Sequence, residues 1–112
     1  MKDIKAVLDK AEVATVVSDA DFRMIYINEK GRQLFKMMKR ETSFGKDLNE
    51  CHQPETMEKL RLLYQAYRER KKTMDYSVTD ISGRKFTIVN VPFYENDEFG
   101  GVVVFFFEGT LA

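Results

Sequence analysis

Hydrophobic and polar residues follow two different periods along the chain, and these periods predict its helices and strands. Apolar residues spaced three or four apart predict helices over residues 2–12, 29–39 and 55–71. Alternating or short apolar runs between turn residues predict strands over residues 14–18, 24–28, 73–80, 84–94 and 99–108. The last three strands are joined by turns too short for parallel crossovers, so the sequence predicts an α+β domain with one antiparallel sheet.

Composition and charge narrow the class of protein. A chain of 112 residues with 44% hydrophobic residues is expected to form one domain with a core, which excludes a disordered protein. The 18 Lys and Arg residues balance the 18 Asp and Glu residues, so nucleic acid is not an expected partner. A single cysteine, no secretion signal and no apolar run long enough to span a membrane lead us to expect a cytoplasmic protein without membrane contact.

Asn28 stands between a predicted strand and a predicted helix. An asparagine side chain at this position accepts hydrogen bonds from the free N–H groups of the first helical turn. We therefore expect Asn28 to be a structural cap, worth roughly 1 kcal/mol of stability, and not a ligand-binding residue.

Several short motifs occur in an order that resembles PAS sensor domains. They are Val16-Val17-Ser18-Asp19, Ile25-Tyr26-Ile27-Asn28-Glu29, Leu34-Phe35, Gly45-Lys46-Asp47-Leu48, and closing strands with Gly83, Pro92 and Gly100-Gly101. The resemblance implies a five-stranded antiparallel sheet in the order 2-1-5-4-3, with helices on one face around a small-ligand pocket. It also implies one domain over residues 1–112, with an N-terminal helix over 1–12 and a PAS core over 13–109. The chain departs from the family at Asp21-Phe22, where Asp-Gly is common.

Strand alternation separates the two faces of the sheet. Ile88, Asn90, Val104 and Phe106 share one face, and the resemblance to flavin-binding PAS domains assigns this face to the pocket. Flavin itself is not expected, because Ile88 and Phe106 are apolar where those relatives have polar residues. The candidate ligand-binding residues are Cys51, His52, Met38, Leu60, Tyr64, Ile88, Asn90, Val104 and Phe106. The alternative interpretation is that the apolar members simply fill a core.

Cys51 and His52 lie in an irregular stretch over residues 42–54, which the resemblance places beside the pocket. Either side chain could be an axial ligand of a haem iron. Haem is thus a possible cofactor, although the cofactor is otherwise unknown. The alternative is that Cys51 is a small buried apolar residue and His52 a polar residue beside a helix. No other spacing of residues indicates a metal site.

The opposite face of the sheet is too apolar to be left in water. It includes Val89, Phe105 and Phe107, and the N-terminal helix, with Ile4 and Leu8 in its apolar stripe, is expected to shield only part of it. We therefore expect a homodimer through these residues.

The resemblance implies a sensory or regulatory module, which binds a small ligand or cofactor and signals to an output domain or partner protein, for example in transcription regulation. No arrangement of residues in the sequence indicates catalytic activity. Two alternatives stay open. One is a dimerisation module without a ligand, and the other is a small α+β enzyme with His52 as general base.

Overall fold

The protein is described by a computed structural model that covers residues 4–38 and 54–109. Its elements, in chain order, are α1 (Ile4–Asp9), β1 (Ala14–Asp19), β2 (Met24–Ile27), α2 (Glu29–Met37), α3 (Pro54–Arg68), β3 (Asp75–Ile81), β4 (Arg84–Glu95) and β5 (Glu98–Glu108). Each predicted helix and strand is present, with ends that differ by a few residues. None of the helices in these two ranges is long and apolar enough to cross a membrane.

The five strands form one antiparallel sheet in the order β2-β1-β5-β4-β3, which confirms the predicted fold. The last strand, β5, lies at the centre, where Val104 pairs with Val16 of β1 and with Asn90 of β4. The two long strands β4 and β5 can pair over most of their length because only Asn96 and Asp97 separate them. Both residues have positive φ, at 51° and 65°, which a tight hairpin turn requires.

One face of the sheet, here called the inner face, is covered by α2 and α3. Phe35 of α2 meets Phe106 of β5 edge to face, with ring centroids 6.3 Å apart. Tyr64 and Tyr67 of α3 form a buried cluster with Val102 of β5. The hydrophobic core therefore lies between the inner face and these two helices.

Asn28 is the N-cap residue of α2 and is fully buried. Its Oδ1 accepts hydrogen bonds from Gly31 N at 2.8 Å and from Thr15 N at 2.9 Å. Its Nδ2 donates to Val13 O at 2.8 Å and to Leu8 O at 3.1 Å. The side chain does more than cap a helix, because it also joins α2 to β1 and to the end of α1.

The N-terminal helix differs from its prediction in length and in packing. It ends at Asp9, where Lys10 N and Ala11 N turn back to the carbonyl groups of Val7 and Leu8, and none of its residues is buried. Its apolar stripe gives the sheet little cover, since Ile4 is 70% exposed and Leu8 is 41% exposed. The contacts of α1 with β2 and with Asn28 are hydrogen bonds: Tyr26 donates to Asp9 Oδ1 at 2.6 Å and Asn28 donates to Leu8 O at 3.1 Å.

Candidate functional site

A cavity of about 1130 Å³ lies between the inner face of the sheet and the helices α2 and α3. Of the candidate ligand-binding residues, seven line this cavity: Met38, Leu60, Tyr64, Ile88, Asn90, Val104 and Phe106. The remaining two, Cys51 and His52, lie outside the described residues, as does the Gly-Lys-x-Leu segment. The structure thus brings together candidates from α2, α3, β4 and β5 that are up to 68 positions apart, from 38 to 106, in the sequence.

The deep wall of the cavity is apolar. It is formed by side chains of β1, β2, β4, β5 and α2, namely Val16, Met24, Ile88, Val102, Val104, Phe106 and Phe35. The strand residues of this set alternate with outward-facing residues, so the sheet presents a continuous apolar surface to the cavity. Such a surface suits the hydrocarbon part of a small molecule.

Tyr64, which lines the cavity, is packed against two further aromatic rings. The ring of Tyr64 is stacked on Phe22, with centroids 4.4 Å apart and planes 15° apart, and meets Phe99 at 5.3 Å. Phe22 has a φ of 64°, a left-handed conformation that suits glycine, and this is the position at which the family commonly has glycine. The stacking on Tyr64 is a contact that a glycine at this position could not make. Burial raises the pKa of Tyr64, whose hydroxyl is hydrogen-bonded to Ser18, so Tyr64 stays neutral.

Asn90 is the polar residue among the candidate ligand-binding residues on the inner face, and its side chain is hydrogen-bonded to Tyr67. The fully buried Tyr67 donates its hydroxyl proton to Asn90 Oδ1, and Tyr94 donates to Tyr67 O at 2.7 Å. Burial raises the pKa of Tyr67 to about 12, with the negative charge of Asp75 as a further cause, so Tyr67 remains a donor at neutral pH. The side-chain oxygen of Asn90 already accepts a hydrogen bond from Tyr67. Its side-chain nitrogen, Nδ2, is therefore the group left to contact a ligand.

The β3 edge of the inner face is polar, and these residues were not predicted from the sequence. Asp75, Ser77 and Thr79 of β3 line the cavity, because they pair with Asn90, Ile88 and Phe86 on the inner face of β4. Their two-residue spacing was the signal that could have found them. This spacing does not by itself indicate a site, because polar residues are common on edge strands such as β3.

The residues expected at a dimer interface lie on the other side of the sheet. Val89, Phe105 and Phe107 are half-buried on the outer face, and the rings of Phe105 and Phe107 are 6.1 Å apart. On the same face, Tyr76 and Val78 of β3 are 66% and 47% exposed. The outer face therefore presents a broad apolar surface that no helix of the described residues buries fully.

Comparison with known proteins gives the following matches. A family model described as PAS domain matches residues 4–110. The C-terminal domain of a protein from Streptococcus mutans is similar with a TM-score of 0.75 at 14% identity, over 94% of this chain and 81% of that chain. The PAS domain of BvgS from Bordetella pertussis is similar with a TM-score of 0.69 at 14% identity, over 96% and 85% of the two chains.

A third similar structure is that of the Aer2 receptor from Vibrio cholerae, described as a dual PAS-heme oxygen sensor. Its TM-score is 0.59 at 13% identity, over 93% of this chain and 99% of that chain. Among curated protein sequences, none matches this chain. At these identities the structural likeness establishes the fold alone.

Proposed function

The chain belongs to the PAS domain family, and from this we propose that it is a sensory module that binds a small molecule in the cavity on the inner face of its sheet. PAS domains in signalling proteins commonly pair with output domains or partner proteins. The observation that carries the proposal is the cavity, whose volume of about 1130 Å³ is large enough to hold a small molecule. Its apolar surface, joined by polar groups that could orient a ligand, is typical of a binding site.

The proposal extends to the role of the module. We propose that it has no catalytic activity of its own and works in the cytoplasm through an output domain or a partner protein, for example in transcription regulation. The alternative enzyme would use His52, which lies outside the described residues. Family membership supports the sensory role, since PAS domains are sensory modules.

A pair of neighbouring valines tests the binding role. Val104 lies on the inner face and Val103 on the outer face of the same strand, so Val104→Phe fills the cavity and Val103→Phe is its matched control. Native mass spectrometry of protein purified without denaturation is expected to show a bound molecule in the wild type and in Val103→Phe. The bound mass is expected to be lost in Val104→Phe.

The absence of a bound molecule would favour the alternative function, a dimerisation module. If wild-type protein carries no added mass and binds no member of a metabolite library by thermal shift, the chain is a dimerisation module without a ligand. Equal loss of bound mass in both valine variants would also contradict the proposal, because only one of them faces the cavity.

We also propose that the protein forms a homodimer through the outer face and α1. The support is the exposed apolar surface, since Ile4 and Leu8 of α1 lie in solvent and Phe107 is only half-buried. Leu8→Glu and Phe107→Glu are expected to shift the protein toward monomer in sedimentation velocity. Gln33→Glu, on an exposed position of α2, is the charge control and is expected to leave the dimer intact. A wild-type protein that sediments as a monomer at high concentration would overturn this part of the proposal.

Haem is a second ligand to test, because the similar Aer2 receptor is described as a haem sensor. The cavity residues that the structure describes include no histidine or cysteine, so a ligand of either type could come only from Cys51 or His52. Titration with hemin, followed at the Soret band, is expected to give weaker binding in Cys51→Ala or in His52→Ala than in the wild type. Identical spectra and affinities for all three proteins would remove both residues from this role.

A further inference from the structure

The charges that line the cavity are equal in number, but they are not all paired with one another. Four charged side chains line the cavity: Lys59, Lys72, Asp75 and Asp80. Both carboxylates already have a lysine partner, since Asp75 Oδ1 lies 3.1 Å from Lys72 Nζ and Asp80 Oδ1 lies 3.5 Å from Lys85 Nζ. Within the two ranges that the structure describes, no carboxylate is paired with Lys59. The charge left for a ligand is therefore positive.

Hydrogen-bonding groups accompany this charge. Lys59 projects from α3 with Thr56 one turn before it, and both residues line the cavity. Across the cavity, Ser77 and Thr79 of β3 present hydroxyl groups, and the amide nitrogen of Asn90 adds another donor. A carboxylate accepts hydrogen bonds from all of these groups. The hydroxyl groups could also accept from an ammonium group, so the preference for an anion comes from the positive charge of Lys59.

The part of the inner face formed by β1, β2 and β5 is mostly apolar, with Ser18 as its one hydroxyl group among the described cavity residues. Val16, Met24, Val102, Val104 and Phe106 provide only hydrocarbon and thioether surface, and burial of a ligand's hydrocarbon there is favourable in proportion to its area. A ligand that suits the whole cavity has an apolar body and one anionic end.

We propose that the cavity binds an amphipathic carboxylate, with its hydrocarbon body against the β5 side and its carboxylate at Lys59 and the hydroxyl groups of β3. This inference rests on the proposed small-molecule function and specifies the ligand class. Lys59 is the specificity-determining residue, because it provides the only unpaired charge among the cavity residues that the structure describes.

Three probes of equal chain length test the inference: decanoate, decanol and decyltrimethylammonium. Each is titrated by calorimetry, the two ions below their micelle concentrations and decanol below its solubility limit. Decanoate is expected to bind about fivefold more tightly than decanol, because a partly exposed ion pair with Lys59 contributes about that much affinity. The ammonium probe is expected to bind most weakly. In Lys59→Gln, decanoate is expected to fall to the affinity of decanol while decanol is unchanged. Lys36→Gln, at an exposed position of α2 outside the cavity, is the matched control and is expected to retain the wild-type preference.

Other outcomes separate the two proposals. If decanol binds as tightly as decanoate, or if Lys59→Gln preserves the preference for decanoate, the anionic ligand class is wrong and the cavity remains a small-molecule site. If none of the three probes binds and the wild-type protein also carries no molecule in native mass spectrometry, both proposals are wrong. Equal thermal melting of Lys59→Gln and wild type is expected, because Lys59 is exposed, and ensures that binding and not folding is compared.

Discussion

Two helices are attached to the same sheet by different interactions. The start of α2 is held by hydrogen bonds from one buried side chain, that of Asn28. The C-terminal half of α3 is held by ring contacts in which Tyr64 meets Phe22 and Phe99. The comparison shows that directional bonds concentrate stability in one residue, whereas aromatic packing spreads it over several.

The distance of each helix from the sheet explains the difference. A Cβ atom at Gly31 of α2 would lie 2.6 Å from Ile27 Cγ1 and 3.1 Å from Thr15 O, so α2 lies almost against β1. A short side chain such as Asn28 can reach backbone groups on both sides of so narrow a gap. The α3 helix stands farther away, because whole tyrosine rings lie between it and β5.

The largest expected effect of a single substitution is at the α2 attachment. Asn28→Ala removes four hydrogen bonds and leaves buried backbone groups such as Thr15 N without a partner, so we expect a loss of roughly 3 kcal/mol in the free energy of unfolding. Urea denaturation measures this loss of stability. Gln33→Ala, at an exposed position of the same helix, is the control and is expected to change stability little. A loss below that of an ordinary helix cap would mean that the Asn28 hydrogen bonds do not hold α2 to the sheet.

A smaller effect is expected at the α3 attachment, where Phe22 combines a left-handed backbone with a stacked ring. Phe22→Ala keeps the strained φ of 64° and loses the stacking on Tyr64, for an expected cost of about 2 kcal/mol. Phe22→Gly loses the same ring but relieves the backbone, so it is expected to be less destabilising by about 1 kcal/mol. Chemical denaturation of the two variants side by side measures the difference. If Phe22→Gly is no more stable than Phe22→Ala, the ring contacts do not compensate for an unfavourable backbone.

The smallest expected effect concerns the hydroxyl of Tyr67 and depends on pH. The pKa of Tyr67 is raised from 10.0 to about 12, so its contribution to stability is present below pH 10 and is lost as the pH rises toward 12. Tyr67→Phe is expected to cost about 1 kcal/mol at neutral pH, since Asn90 loses its donor, and to make the alkaline loss of stability shallower. Thermal melting between pH 7 and pH 12 measures both effects.

Tyr76→Phe is the matched control for this experiment, because Tyr76 is 66% exposed. It is expected to change neither the stability at neutral pH nor its alkaline dependence. An alkaline profile that is the same for Tyr67→Phe and the wild type would contradict the role assigned to the Tyr67 hydroxyl.

Local patterns determined the elements and the attachment of α2. Alternation predicted the strands, the three-and-four spacing predicted α2 and α3, and the position of Asn28 before Glu29 predicted the cap. Short turns made the last three strands antiparallel. All of these are properties of residues close together in the sequence, where backbone geometry and one side chain are sufficient.

The cavity residues could be predicted in part. Alternation placed Ile88, Asn90, Val104 and Phe106 on one face, and the structure places them in the cavity. The polar residues of β3 were missed, since their role depends on which residues of β4 they pair with. The exposure of α1 could not be predicted, because an apolar stripe does not reveal how much partner surface lies within reach.

Only the tertiary structure decided how α3 is attached and what the cavity can bind. Phe22, Tyr64 and Phe99 come from three separate parts of the chain, and their stacking explains a phenylalanine where a turn favours glycine. Likewise, Lys59 is an ordinary helix residue in the sequence, and it becomes the unpaired charge of the cavity once Asp75 and Asp80 have their own partners. The physical reason is the same in both cases: ring stacking and charge balance depend on distances between remote residues, and the fold alone sets those distances.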